Sequence, residues 1–131
     1  MEQKIYFILD NMKPENTYFF ESDLNYFGKG IAEKDLFICF INLRKNEKEQ
    51  IKTVIHEAGH GVPSYNTFFC NPQEVSRIES ELDNISEQIY KTNPQLNKFI
   101  KDVLKKSRHN FINHHEIQTY AIKLLNEYMG A

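Results

Sequence analysis

His56 and His60 stand four residues apart in "TVIHEAGHGVP", with Glu57 between them and Pro63 close behind. On a helix, side chains at i and i+4 leave the same face, so both imidazoles can reach one tetrahedral metal ion at roughly 2.0–2.1 Å. Spacing and ligand type suit zinc. Glu57 follows His56 by about 100° around the helix, so it can reach a water held by the ion without being a ligand, which is where a general base must stand. The bland reading is two solvated histidines on a surface helix. Against it stand the helical context and the face the two rings share. The residues therefore predict a metal site at His56 and His60 with Glu57 as the catalytic acid/base.

A catalytic zinc needs a third protein ligand and one open position. Two carboxylates are candidates. Glu79 follows His60 after a gap of eighteen residues and has Asp83 at i+4, an arrangement that resembles the thermolysin-type gluzincins. Glu116 opens the later segment "EIQTYAIKLL". Histidines 109, 114 and 115 also enter: His114 or His115 could replace Glu116 as ligand, steady a ligand, or donate a proton to a developing oxyanion. Tyr65 and Tyr120 are further candidate donors to that oxyanion.

These residues need elements to hold them. "IYFIL" (5–9), "TYFF" (17–20) and "LFICFINL" (36–43) are rich in aromatic and β-branched residues and read as strands, with "FGKG" (27–30) as a turn. Asn46, followed three residues later by Glu49, predicts the start of a helix that Gly61 and Pro63 end. On that helix Ile51, Val54, Ile55, Ala58 and Val62 form the apolar stripe, and the two histidines fall on roughly the opposite face. "VPSYNTFFCNP" reads as an irregular aromatic loop. Residues 73–108 read as two polar helices of about 18 and 13 residues broken at Asn93-Pro94, and 110–129 as a last amphipathic helix.

The 131 residues suit one domain, 1–131, and the 40% hydrophobic and 13% aromatic content argues for a packed core. A net charge of −2 gives no basic field for phosphates, so direct nucleic-acid binding is disfavoured. The opening "MEQKIYFILDN" lacks the basic flank and cleavage site of a signal peptide, and no apolar run reaches the roughly 18 residues of a membrane helix. Both point to the cytoplasm and away from membranes. Cys39 and Cys70 suggest no disulfide framework; both are expected to be reduced, Cys39 packed in its strand.

"FICFINLRKNEKEQIKTVIHEAGH" (37–60) and "EIQTYAIKLL" (116–125) together resemble the ImmA/IrrE-type metallopeptidases. In that family a short strand and polar turn precede an HExxH helix, and a downstream helix carries a glutamate, an aromatic, an alanine and paired leucines. Here Glu116, Tyr120, Ala121, Leu124 and Leu125 occupy that second motif. The resemblance implies an α+β zincin-like fold, with a small, mostly antiparallel sheet packed on the HExxH helix and C-terminal helices completing it. Residues 73–108 would be a helical insertion, and "LFICFINL" the sheet edge for a substrate strand. It implies zinc held by His56, His60 and Glu116, with Glu57 activating a zinc-bound water. It implies a zinc-dependent, site-specific endopeptidase, gluzincin-like in its ligands and of a kind carried by mobile elements or phages, whose partner is a helix-turn-helix transcriptional repressor. The alternative is a zinc-stabilised protein-binding regulator that masks its partner without hydrolysis.

Overall fold

In the computed structural model, which describes residues 2–10, 12, 17–21, 28–33, 36–41, 45–67, 70–106, 108–109 and 119, the chain runs α1 (Glu2–Asp10), β1 (Thr17–Glu21), β2 (Gly28–Glu33), β3 (Leu36–Ile41), α2 (Glu47–Gly59), a 3-10 turn (Pro63–Tyr65), α3 (Pro72–Thr92), α4 (Pro94–Lys106) and β4 (Arg108–His109). Helix α2 is the hub, touching α1, α3, α4, β2 and β3.

The α2 helix begins as its sequence requires. The Asn46 side chain accepts from the Glu49 amide at 2.9 Å, satisfying one of the donors a helix start leaves open, and Glu47 and Glu49 set negative charge in the first turn. Asn71 repeats the device at α3, accepting from the Glu74 amide at 2.8 Å, with Pro72 in the first turn where its missing N–H costs nothing. At Asn93 the chain breaks before Pro94, and the Asn93 side-chain amide donates to the Tyr6 hydroxyl at 2.8 Å, tying the α3–α4 corner to α1.

The expected α+β domain with a small, mostly antiparallel sheet does not hold. Four helices make up the body of the described residues, and the strands add only Cys39 and Ile41 to the described core. The ladder is also mixed: in the order β2-β3-β1-β4, β1 runs parallel to both β3 and β4, and only β2 runs antiparallel to β3. Strand β3 is paired on both sides, so its residues Leu36–Ile41 are not the sheet edge expected for a substrate strand. Gly28 and Gly30, expected in a turn, lie within β2.

The first apolar run is a helix rather than a strand, and burial gives the reason. In a strand Ile5, Phe7 and Leu9 would share one face. Instead Ile5 and Leu9 are fully buried with Met12, whereas Phe7 is 67% exposed, as i, i+4 spacing requires. The remaining core comes from α2 (Ile51, Val54, Ile55, Ala58), from Val62 and Tyr65 just after it, and from α3 (Ile78, Leu82, Ile89) and α4 (Ile100, Val103). Each fully buried aliphatic side chain contributes about 1.5–3 kcal/mol relative to exposure. No helix among the described residues is long and apolar enough to cross a membrane.

Ile100→Ala is expected to lower unfolding free energy by about 2–5 kcal/mol, because Ile100 is fully enclosed. Asn46→Ala should cost about 1 kcal/mol, the value of one cap. Urea unfolding of both variants checks the ranking, and an Ile100→Ala cost no larger than that of the cap would contradict this packing.

Candidate metal centre

Polar pairs join α2 to α3 in antiparallel register. Lys52 Nζ meets Glu87 at 2.5 Å, His56 Nδ1 meets Asp83 at 2.8 Å, and His60 Nε2 meets Glu79 at 2.8 Å. Each step forward by one turn on α2 is a step back by one turn on α3. Lys48 reaches the same Glu87 carboxylate at 3.3 Å. The face of α2 opposite its apolar stripe is therefore not solvated: α3 lies over it, and His56 is only 2% exposed.

The centre of this ladder is one carboxylate. Glu79 Oε2 lies 2.7 Å from His56 Nε2 and Glu79 Oε1 lies 2.8 Å from His60 Nε2, so its two oxygens are shared between the two rings. The ring centroids are 5.1 Å apart at 68°. On the far side, His56 Nδ1 faces Asp83, and His60 Nδ1 donates to the Tyr65 carbonyl at 2.9 Å. The Pro63–Tyr65 turn, closed by the Tyr65 amide donating to the Val62 carbonyl at 2.8 Å, sets that carbonyl in place.

Four ring nitrogens thus face four oxygens that can only accept. The arrangement asks either for a proton on every nitrogen or for a cation in place of the two between the Nε2 atoms and Glu79. The second option leaves the His60 Nδ1–H donating to the Tyr65 carbonyl, the tautomer and backing that histidine ligands characteristically have, with His56 Nδ1 in close charge contact with Asp83. Two imidazoles and a carboxylate are also a donor set typical of catalytic zinc. The residues fit a divalent ion.

Glu57 sits beside this cluster, 4% exposed, and its carboxylate falls with the His56 and His60 ring nitrogens in a group whose ligand atoms all lie within 4.8 Å of one another. Cys39 in β3 is its neighbour: burial first and then the Glu57 charge push that thiol well above its ordinary value, so it stays protonated. Gly59 lets α3 come this close, since a Cβ there would overlap Leu82 Cδ2.

The structure brings His56, Glu57 and His60 together as expected, and adds Glu79 and Asp83. Glu116, the expected third ligand, lies outside the described residues, as do His114, His115 and Tyr120. His109 is described by its backbone, paired with Phe20 in β1. Tyr65, considered as an oxyanion donor, serves instead through its carbonyl, and its 8% exposed side chain is packed in the core and hydrogen-bonded to Glu81. The spacing from His60 to Glu79 and from Glu79 to Asp83 was the available signal for the α3 residues. The Tyr65 carbonyl had none, because a backbone atom is blind to residue type.

Charge locks the metal-free cluster. Hydrogen bonds from His56 and His60 hold the Glu79 carboxyl down to about 2 from an ordinary 4.5, against its partial burial. His60 is raised above its ordinary 6.5: burial opposes its charge but is outweighed by the Glu79 hydrogen bond, the Tyr65 carbonyl and the charges of Glu57 and Glu79. The depressed carboxyl contributes stability that is present above about pH 4.5 and lost as pH falls towards 2. The raised imidazole contributes stability that is present below pH 6.5 and lost as pH rises through its folded value. Thermal melts of the metal-free protein are expected to peak between these limits, and Glu79→Gln should shrink both limbs. A Glu79→Gln profile superimposable on wild type would contradict the lock.

No protein-family model, curated protein or solved structure matches this chain, so the chemistry of the site is its own witness.

Proposed function

We propose that this chain is a zinc-dependent endopeptidase whose ion is held by His56, His60 and Glu79. The observation that carries the reading is the Glu79 carboxylate divided between two Nε2 atoms, 2.7 and 2.8 Å away. With Asp83 one turn further on, the ligand order is of the gluzincin type, and Glu79 replaces Glu116 as third ligand.

When bound, zinc polarises a scissile carbonyl and makes water nucleophilic near neutral pH. The chain's own residues do the rest. Asp83 and the Tyr65 carbonyl fix the two rings with their Nε2 atoms turned inwards. The Glu57 carboxylate, next to the histidines and away from bulk water, takes a proton from the attacking water and delivers it to the leaving amine nitrogen. Burial and the neighbouring un-ionised Cys39 thiol give that carboxylate a setting of low polarity.

The substrate reading rests on the resemblance of 37–60 and 116–125 to ImmA/IrrE-type metallopeptidases: a helix-turn-helix repressor in the cytoplasm, cut at one site. A second reading, a zinc-closed regulator that masks such a repressor without cutting it, is favoured by one observation, the 4% exposure of Glu57. Incubating the zinc-loaded protein with repressors encoded nearby separates the two, because one discrete cut supports the peptidase and an intact, co-eluting repressor supports the mask.

Glu57→Gln is expected to keep zinc stoichiometry and lose at least about a hundredfold in cleavage rate, since the proton carrier alone is removed. Unchanged cleavage would remove Glu57 from the chemistry. In metal analysis of purified variants, Glu79→Ala should lose the ion and Glu116→Ala should keep it. The reverse pattern would return the third ligand to Glu116.

A further inference from the structure

We infer that Gly59 is a positioning residue: the absence of a side chain there sets the spacing between α2 and α3 that lets one α3 carboxylate reach both imidazoles. The inference rests on the metal-centre reading above but concerns how the cluster is assembled.

His56, Gly59 and His60 follow an i, i+3, i+4 pattern along α2, and Glu79, Leu82 and Asp83 follow the same pattern along α3. Each pattern is one helix face. The polar members meet: His56 with Asp83 and Glu79, and His60 with Glu79. The remaining member of each face meets the other, Leu82 filling the place where Gly59 has no side chain. A Cβ at residue 59 would overlap Leu82 Cδ2 and lie 3.4 Å from both Cδ1 and Cγ.

Leu82 has little room to swing aside. It is 1% exposed, with Ile78 and Ser86 of the same helix also buried on either side, and overfilled cores respond by shifting backbone. The nearest backbone to shift is α3, which carries Glu79 three residues before Leu82. Hydrogen bonds at 2.7 and 2.8 Å from a single carboxylate leave little slack, since such contacts weaken within a few tenths of an ångström. Local propensity argues against glycine here: alanine favours a helix by about 0.5–1 kcal/mol, no described glycine has positive φ, and the neighbouring position is already Ala58. What glycine supplies at this place is close approach.

Gly59→Ala tests the inference with two readouts. In the metal-free protein at fixed pH, long-range proton–nitrogen NMR spectra of the imidazoles should lose the signature of carboxylate-bonded Nε2 atoms while the helical circular dichroism is kept. Zinc affinity, measured by competition with a chromophoric chelator, should fall by about 10–100-fold, the range for residues that orient metal ligands. Adding Leu82→Ala to Gly59→Ala, which reopens the space, should return both readouts close to wild type. If Gly59→Ala does not fold, Leu82→Phe, which crowds the same contact from α3, is measured with the same expectations. A folded crowding variant with wild-type imidazole spectra would overturn the inference. A wild-type protein with the carboxylate signature but no affinity for zinc would instead sink the metal reading and leave the positioning role of Gly59 intact.

Discussion

The Glu79 carboxylate is shared between two imidazoles of another helix, and the rest of the structure can be understood as what makes that sharing possible. A lone carboxylate 39% exposed to water would gain little from one histidine. Two histidines held at fixed separation on a buried helix change the balance. The rings are pre-oriented from behind by Asp83 and the Tyr65 carbonyl, so little freedom is lost when the carboxylate arrives. This preparation is common to ion-pair clusters and metal sites, because both require several groups to be immobile before the charge is added.

The second half of helix α2 can be buried because most of its polar side chains have partners. Thr53 donates to the Glu49 carbonyl at 2.8 Å, Lys52 reaches Glu87, and the histidines reach α3. Burying such groups unsatisfied would cost roughly 1–3 kcal/mol each. The antiparallel register of α2 and α3 spaces these partners one turn apart, so the same repeat that packs Leu82 against Gly59 also delivers Asp83 and Glu79. Packing and chemistry share one geometry here.

Much of the site was legible in the sequence and much of the fold was not. The helix start at Asn46, the shared face of His56 and His60 and the break at Asn93-Pro94 are governed by local rules of capping, i+4 spacing and proline stereochemistry, and they stand as expected. The run 5–9 misled because five consecutive apolar residues carry no period: only the exposure of Phe7 between buried Ile5 and Leu9 distinguishes helix from strand. Sheet direction was equally hidden, since whether β1 lies parallel to β3 depends on a crossover, not on the residues of either strand. Glu79 reaches the two histidines only through the tertiary approach of α3, which spacing along the chain does not give, and Gly59, the residue permitting it, looks like an ordinary helix end when read alone.

The central claim is that one divalent ion sits among His56, His60 and Glu79. Anomalous diffraction at the zinc edge from crystals grown with zinc tests it most directly. The account predicts a single strong peak within bonding distance of both Nε2 atoms and a Glu79 oxygen, with Asp83 still against His56 Nδ1. A zinc-free cluster with Glu79 still bridging the imidazoles, or a peak whose ligands exclude Glu79, would contradict it.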